Sequence, residues 1–160
     1  MRAEREIVEV LNQLSPHGPS ISSPGRGGRG PRFTPGEVAA MLAGVQRPVV
    51  ALAYAKYALD PQAHDELAAW LRVEALQARK RQGWDIDPGD RKLSVLAVLV
   101  RDDLVLSRPT PSRRKGACVL GVSERAWSQV WQDRYAMLLN IGHGWHTALT
   151  YALARQLRGG

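Results

Sequence analysis

Apolar residues recur along most of this chain at intervals of three and four, the spacing that places side chains on one face of an α-helix. Such a stripe runs along residues 61–82, and residues 92–106 are apolar nearly all round. The stripe consists of Ala63, Leu67, Trp70, Leu71, Ala75 and Ala78. The second run also fits a buried strand, but helix starts surround it and no partner strand is visible, so we predict a buried helix. The chain is therefore predicted to be all-α.

Capping residues followed by proline separate the predicted helices. In the run Thr34-Pro35-Gly36-Glu37, Thr34 is expected to cap a helix, Pro35 to take its first position, and Glu37 to reach back in a capping box. Arg47-Pro48, Asp60-Pro61 and the turn at residues 87–90 are predicted to start further helices. The predicted helices cover residues 35–45, 49–59, 61–82, 92–106, 115–120, 123–140 and 145–157, with a break at 141–144.

The N-terminal part differs in composition from the rest. Residues 3–14 form at best a short amphipathic helix, with Ile7, Val8, Leu11 and Leu14 on one side. Residues 15–33 contain five Gly, four Pro and three Arg without periodicity, which predicts a flexible arm. We therefore divide the chain into residues 1–33, a short helix and arm, and residues 34–160, a compact helical domain.

Residues 113–140 have the pattern of a helix-turn-helix, and the rest of the chain is organised around them. Gly121 stands where the turn needs a positive φ, and Ser123 is a good N-cap for the second helix, with Glu124 at its positive end. Ala117 is small enough to let the two helices approach closely. The residues expected to face the core are Leu120, Val122, Trp127, Val130 and Trp131.

The outer face of the second predicted helix carries side chains that hydrogen-bond base edges in a major groove. A basic run before it is suited to phosphate contacts. The predicted DNA-binding residues are Arg113, Arg114, Lys115, Ser123, Arg125, Ser128, Gln129 and Gln132. The simpler interpretation is a helical hairpin with a solvated polar face. Residues 107–135 carry six Arg or Lys against two Asp or Glu, which favours DNA.

Composition agrees with a nucleic-acid partner and excludes some classes. The formal net charge is +7, which suits a polyanion. The single Cys118 excludes a disulfide framework or a Cys-rich zinc site, and its place in a helix suggests a small buried hydrophobe. The N-terminus shows no signal-peptide pattern and no apolar run is long enough to span a bilayer, so we expect a cytoplasmic protein.

No catalytic or metal-binding constellation emerges from the sequence. His143 and His146 lack an acidic partner at ligand spacing, and Cys118 has no histidine nearby to activate it. The pair Asp102-Asp103 is interpreted as a solvated helix face. Three aromatic residues at helical spacing, Trp127, Trp131 and Tyr135, are expected in the core rather than stacked on bases. We therefore expect no enzyme activity, no cofactor and no metal.

Residues 34–157 resemble the lambda-type phage antitermination protein Q family in three blocks. The first begins at residues 37–41 (EVAAM), and the second runs from the basic start at Arg91 through the apolar helix to Val105. The third and most specific is residues 118–122 (CVLGV), followed by Trp127-Ser128, Tyr135 and Leu138. Members of the family carry a Cys-rich zinc-binding insertion where this chain has only residues 107–112, so zinc binding does not carry over.

The resemblance implies a transcription antitermination factor. Proteins of this family bind a DNA site in a phage late promoter, engage RNA polymerase with its sigma factor at a promoter-proximal pause, and make it read through terminators. The helix-turn-helix would supply the DNA address and the other helices the polymerase surface. Two alternatives stay open: a simple helix-turn-helix repressor or activator, and a small helical enzyme or an adaptor that binds only protein.

Overall fold

The structure, a computed structural model, describes residues 2–14 and 33–159, and most of these residues are helical, with no strand among them. The predicted all-α class is therefore confirmed. Residues 15–32, which contain nearly all of the predicted flexible arm, lie outside the described residues. The helices are α1 (Arg2–Asn12), α2 (Pro35–Leu42), α3 (Arg47–Tyr57), α4 (Pro61–Gln82), α5 (Arg91–Val105), α6 (Arg113–Leu120), α7 (Glu124–Ala126), a π-helical segment (Trp127–Trp131) and α8 (Gln132–Gly159).

The described residues form two compact units, one within residues 1–64 and 145–160 and the other of residues 65–144. The first unit has its own apolar core, in which α1 takes part. That core consists of Val10, Leu11, Leu14, Val38, Leu42, Val49, Ala53, Leu149 and Leu153. The predicted inner face of α1 was wrong at Val8, which is exposed, and it omitted Val10, which is fully buried. The buried positions 10, 11 and 14 still follow helical spacing, rotated from the predicted side.

The predicted helix starts agree with the structure where a polar cap was expected. The Thr34 hydroxyl accepts from the Glu37 N–H and the Glu37 carboxylate accepts from the Thr34 N–H, both at 3.2 Å, so the capping box is confirmed. Asp60 accepts from the Gln62 N–H at 3.0 Å. The predicted turn at residues 87–90 is confirmed, because the Asp90 N–H donates to the Asp87 carbonyl at 3.0 Å. Its proline does not start the helix, however, because α5 begins at Arg91 behind Asp90, whose side chain accepts from the Lys92 N–H.

The predicted break at residues 141–144 was also wrong, because α8 continues through both glycines. Gly142 is buried, and a Cβ added to it would lie 2.6 Å from Cδ2 of Leu104. A glycine inside a helix usually weakens it, but here the missing side chain makes room for α5. Gly142 therefore marks a close approach of two helices in the second unit rather than a helix end.

The core of the second unit collects the predicted stripe of α4 and the apolar helix α5. Leu67, Leu71 and Ala75 of α4 are fully buried, whereas Trp70 is only partly buried. Residues 91–105, for which a strand had been the alternative, are helical. Trp127, Trp131 and Tyr135 are buried, as predicted. This core supports the segment that carries the candidate site.

Candidate nucleic-acid interface

The turn between α6 and α7 depends on Gly121. Gly121 has φ 71° and ψ 35°, a left-handed conformation, and its N–H reaches the carbonyl oxygens of Ala117 and Cys118. The Val122 N–H donates to the Ala117 carbonyl at 3.0 Å, which satisfies the end of α6. Ser123 then caps α7, its hydroxyl accepting from the Ala126 N–H at 3.0 Å. The positive φ and the N-cap were both predicted from the sequence.

Replacing Gly121 with valine should lower the free energy of unfolding by about 1–2 kcal/mol, because a β-branched residue is strained at positive φ. No heavy atom lies within 4 Å of a Cβ added there, so backbone strain alone produces the loss. Urea unfolding followed by tryptophan fluorescence measures it, with Gly144→Val as a control for valine at a helical glycine without a positive φ. A Gly121→Val variant as stable as the parent would contradict the strained turn.

The two-helix segment is held together by a contact that the sequence did not reveal. Gly116 of α6 is buried, and a Cβ added to it would overlap the Trp127 indole ring. Ala117, the residue predicted to allow close approach, is also buried. The close approach of the two helices therefore depends on Gly116, where α6 packs against the indole ring of the fully buried Trp127. A glycine inside an eight-residue helix was the only available sequence signal.

A buried polar pair lies beside this contact. The Tyr135 hydroxyl donates to Oδ2 of Asp103 at 2.6 Å, and the Trp127 and Tyr135 ring centroids are 5.9 Å apart. Asp103 is only 2% exposed, so its interpretation as part of a solvated helix face was wrong. Burial, together with the hydrogen bond to Asp103 and its charge, raises the pKa of Tyr135, so its hydroxyl stays a donor. The pair joins α5 to α8, and the Tyr135 ring contacts Trp127 of the candidate recognition helix.

The candidate recognition helix contains a π-helical segment, Trp127–Trp131, in which the Gln132 N–H donates to the Trp127 carbonyl. The predicted inward position of Val130 was wrong, because this side chain is exposed. The prediction assumed a regular 3.6-residue turn, whereas bonding to the fifth residue rotates the following side chains by a different angle. Such segments are frequent at functional sites, and this one carries Ser128 and Gln129.

All the side chains predicted to contact DNA are exposed. On the helix that follows the turn, the buried residues Trp127 and Trp131 define the inner side, and the polar side chains lie away from it. These exposed residues are Ser123, Arg125, Ser128, Gln129 and Gln132. The part of the chain that the structure describes does not cover this polar face. The Ser123 hydroxyl caps α7, so Ser123 has this structural role in addition to its predicted DNA contact.

The predicted basic run forms the first turn of α6 rather than a leader in front of it. Arg113, Arg114 and Lys115 are exposed, and Ser112 caps the helix by accepting from the Lys115 N–H at 3.2 Å. Three cations at the positive end of a helix are unfavourable for that helix in isolation. Their presence there favours a role in binding an anion rather than in stabilising the fold.

Arg134 is less available to a ligand than the exposed cations of α6, because aromatic rings hold its guanidinium. The Arg134 guanidinium lies between two indoles, 4.6 Å from the ring centroid of Trp84 and 4.7 Å from that of Trp131. Burial lowers the pKa of Arg134 from its ordinary value. Such stacking stabilises the packing of the helix after the candidate face. The charge excess of the segment is therefore carried mainly by Arg108, α6 and Arg125.

Cys118 is exposed, so its interpretation as a small buried hydrophobe was wrong. The inward positions of α6 are Gly116, Ala117 and Leu120, and Cys118 falls outside that stripe. Of the two histidines considered for metal binding, His146 shares a 2.8 Å hydrogen bond with the Tyr57 hydroxyl. Within the described ranges, no three His, Cys, Asp or Glu residues are grouped as metal ligands would be.

The described helices include none whose length and apolar character would suit a bilayer crossing. The chain was also compared with known proteins. No protein-family model, no curated protein and no solved structure matches it.

Proposed function

We propose that this chain is a DNA-binding transcription antitermination factor of the lambda Q type, in which residues 113–140 act as a helix-turn-helix. The observation that carries the proposal is the uncovered polar face with Arg125, Ser128, Gln129 and Gln132, presented after a tight turn and beside a basic helix start. Arginine and glutamine are side chains that make bidentate contacts to guanine and adenine. In this proposal, the side chains of the polar face contact base edges and so recognise the DNA sequence.

The basic first turn of α6 is proposed to fix the position of the protein on the duplex. Arg113, Arg114 and Lys115 are exposed and lie on the helix that precedes the polar face. Phosphate contacts set register and orientation but carry no sequence information. The net charge of +7 supports the same division of labour, because a basic chain is attracted to any duplex before a specific site is found.

The step from DNA binding to antitermination depends on the resemblance. Its blocks fall on α2, α5 and the α6-to-α8 segment, which are elements of the described structure. The family's action needs no active site. It needs contacts that differ between paused and freely elongating RNA polymerase, so that binding shifts the enzyme toward readthrough. We propose that double-stranded promoter DNA and sigma-containing bacterial RNA polymerase are the partners, in the cytoplasm of the host cell.

A transcription assay tests this function. Selection from a random duplex library with the full-length chain identifies the DNA site. A template then places that site at a promoter, ahead of an intrinsic terminator, and is transcribed by the bacterial host's polymerase. Readthrough that requires both the site and the protein is expected. Specific DNA binding with an effect on initiation alone would overturn antitermination and favour a simple repressor or activator. Absence of salt-dependent DNA binding would overturn both.

Arg113→Ala should weaken binding to specific and random duplexes alike and reduce the slope of log affinity against log salt by about one unit. The physical reason is the loss of one phosphate contact and the counterion that it releases. Titrations at several salt concentrations measure the slope, with Arg81→Ala on the exposed end of α4 as the matched control. A loss confined to the specific duplex would place Arg113 on a base instead.

A further inference from the structure

A groove runs between α5 and α6, and Lys115 is the one proposed DNA contact that lines it. It has a volume of about 390 Å³ and is lined by Val95, Val98 and Lys115, among others. A neighbouring recess of about 420 Å³ shares Val95 and Val119 with it and extends to Cys118. We call this combined surface the α5–α6 groove. It lies within the second compact unit.

The floor of the α5–α6 groove is apolar and accessible. Val98 is 38% exposed and Val119 is 43% exposed, although each stands in the middle or last turn of a helix. Valine is a poorer helix former than alanine or lysine. At an exposed helical position it gains little from burial either. Two such valines facing one groove therefore suggest a surface that is covered when the protein works.

The rim of the groove is cationic, and three of its cations have no acidic partner among the described residues. Arg91, Arg108 and Lys115 line it and are exposed. In residues 33–159 and 2–14, none of these three side chains forms an ion pair. The lining has two acidic residues, and each faces a neighbouring cation. Asp102 is held by Arg101, whose Nε lies 3.0 Å from its carboxylate, and Asp90 lies 3.7 Å from the Lys92 Nζ. The groove thus combines an apolar floor with three free positive charges.

We infer that the α5–α6 groove is a docking site for an acidic amphipathic helix of a protein partner. A helix lying in such a groove would place apolar side chains at i and i+4 over Val98 and Val119, and glutamate or aspartate side chains against the rim. Charge complementarity selects this occupant, because a second copy of this basic chain or another basic surface would be repelled. The inference does not require the DNA-binding function proposed above.

A peptide titration tests the groove with the full-length chain. The probe is a fluorescent synthetic helix of about 16 residues, long enough to retain some helicity, with leucines along one stripe and glutamates on both sides. Its twin carries lysine in place of glutamate. The acidic peptide should bind at least about tenfold more tightly than the lysine twin, and raising the salt from about 50 to about 300 mM should weaken it several-fold.

Variants locate the site on the protein. Val119→Asp and Lys115→Glu should each weaken the acidic peptide at least about tenfold, whereas Val73→Asp, at a similarly exposed valine of α4, should have no effect. The peptide should also slow alkylation of Cys118, the single cysteine, which lines the recess beside Val119. Far-UV circular dichroism checks that each variant is folded.

Several outcomes would overturn the inference. If the two peptides bound equally well, charge complementarity would not select the partner. If Val119→Asp did not weaken the acidic peptide, the α5–α6 groove would not be its binding site. Concentration-dependent self-association that Val119→Asp abolishes would assign the surface to a second copy. If Val119→Asp weakened duplex DNA but left the acidic peptide unaffected, the surface would belong to the nucleic-acid face. Failure of DNA binding alone would leave the peptide result standing, so the two proposals fail separately.

Discussion

Replacing Tyr135 with phenylalanine is expected to lower the free energy of unfolding by about 2–3 kcal/mol. The substitution removes the hydroxyl that donates to Asp103 Oδ2 at 2.6 Å and leaves the ring in place. Asp103 is buried, and its other oxygen, Oδ1, has no hydrogen-bond partner among the described residues. Without Tyr135, the carboxylate would be buried with no side-chain donor. Urea unfolding at neutral pH, followed by tryptophan fluorescence, measures the loss.

A double variant separates the hydrogen bond from packing. In Asp103→Leu combined with Tyr135→Phe, both polar partners are replaced by apolar groups of similar size, which is often close to neutral. The double variant should therefore recover most of the stability that Tyr135→Phe loses. If the double variant were as unstable as Tyr135→Phe alone, the loss would not come from the unpaired Asp103 carboxylate. The ring contact between Tyr135 and Trp127 would then have to depend on the hydroxyl.

The features that the sequence predicted correctly are those decided by neighbouring residues. The Thr34 capping box, the Asp60 cap and the positive φ of Gly121 each depend on atoms within a few positions along the chain. Helical spacing likewise identified the buried face of α4 and the aromatic stripe from Trp127 to Tyr135. Local geometry and period carry this information, so one sequence is enough to extract it.

The features that the sequence missed depend on a distant partner. Asp103 looked like a solvated acid because its donor, Tyr135, is 32 positions away. Gly142 resembled a helix end because its packing partner, Leu104, lies far away in the sequence and could not be inferred from neighbouring residues. Gly116 gave the same weak signal for its contact with Trp127. In each case a tertiary contact, rather than local propensity, decides the role of the residue.

The candidate site lies between these extremes. The exposure of Arg125, Gln129 and Gln132 followed from the helical period, because the opposite side carries the buried tryptophans. The π-helical segment did not follow from it, and Val130 was misplaced for that reason. The stacking of Arg134 between Trp84 and Trp131 was equally invisible, since it joins residues 50 positions apart. Sequence thus predicted the polar face but not the packing that supports it.

Gln129→Ala is expected to weaken binding to the selected DNA site by about 1–3 kcal/mol, about five- to 150-fold, and to relax preference at one base pair. Gln129 is exposed within the π-helical segment, and its amide offers the donor and acceptor that match an adenine edge. Removal of the amide costs the base contact and leaves phosphate contacts intact. Competition binding against single-base variants of the site measures both effects.

The controls distinguish base reading from general damage. Gln77→Ala removes an exposed glutamine from α4, a helix that carries none of the predicted DNA-contacting residues, and should leave both affinity and preference unchanged. Arg125→Ala should behave like Gln129→Ala, with preference relaxed at a different base pair and an additional fall in the salt slope if its guanidinium also touches a phosphate. Equal losses for Gln129→Ala on specific and random duplexes would show that this helix does not read bases. Because the fold of residues 113–140 would be unaffected by that result, the recognition surface would then have to lie on another exposed helix of the basic chain.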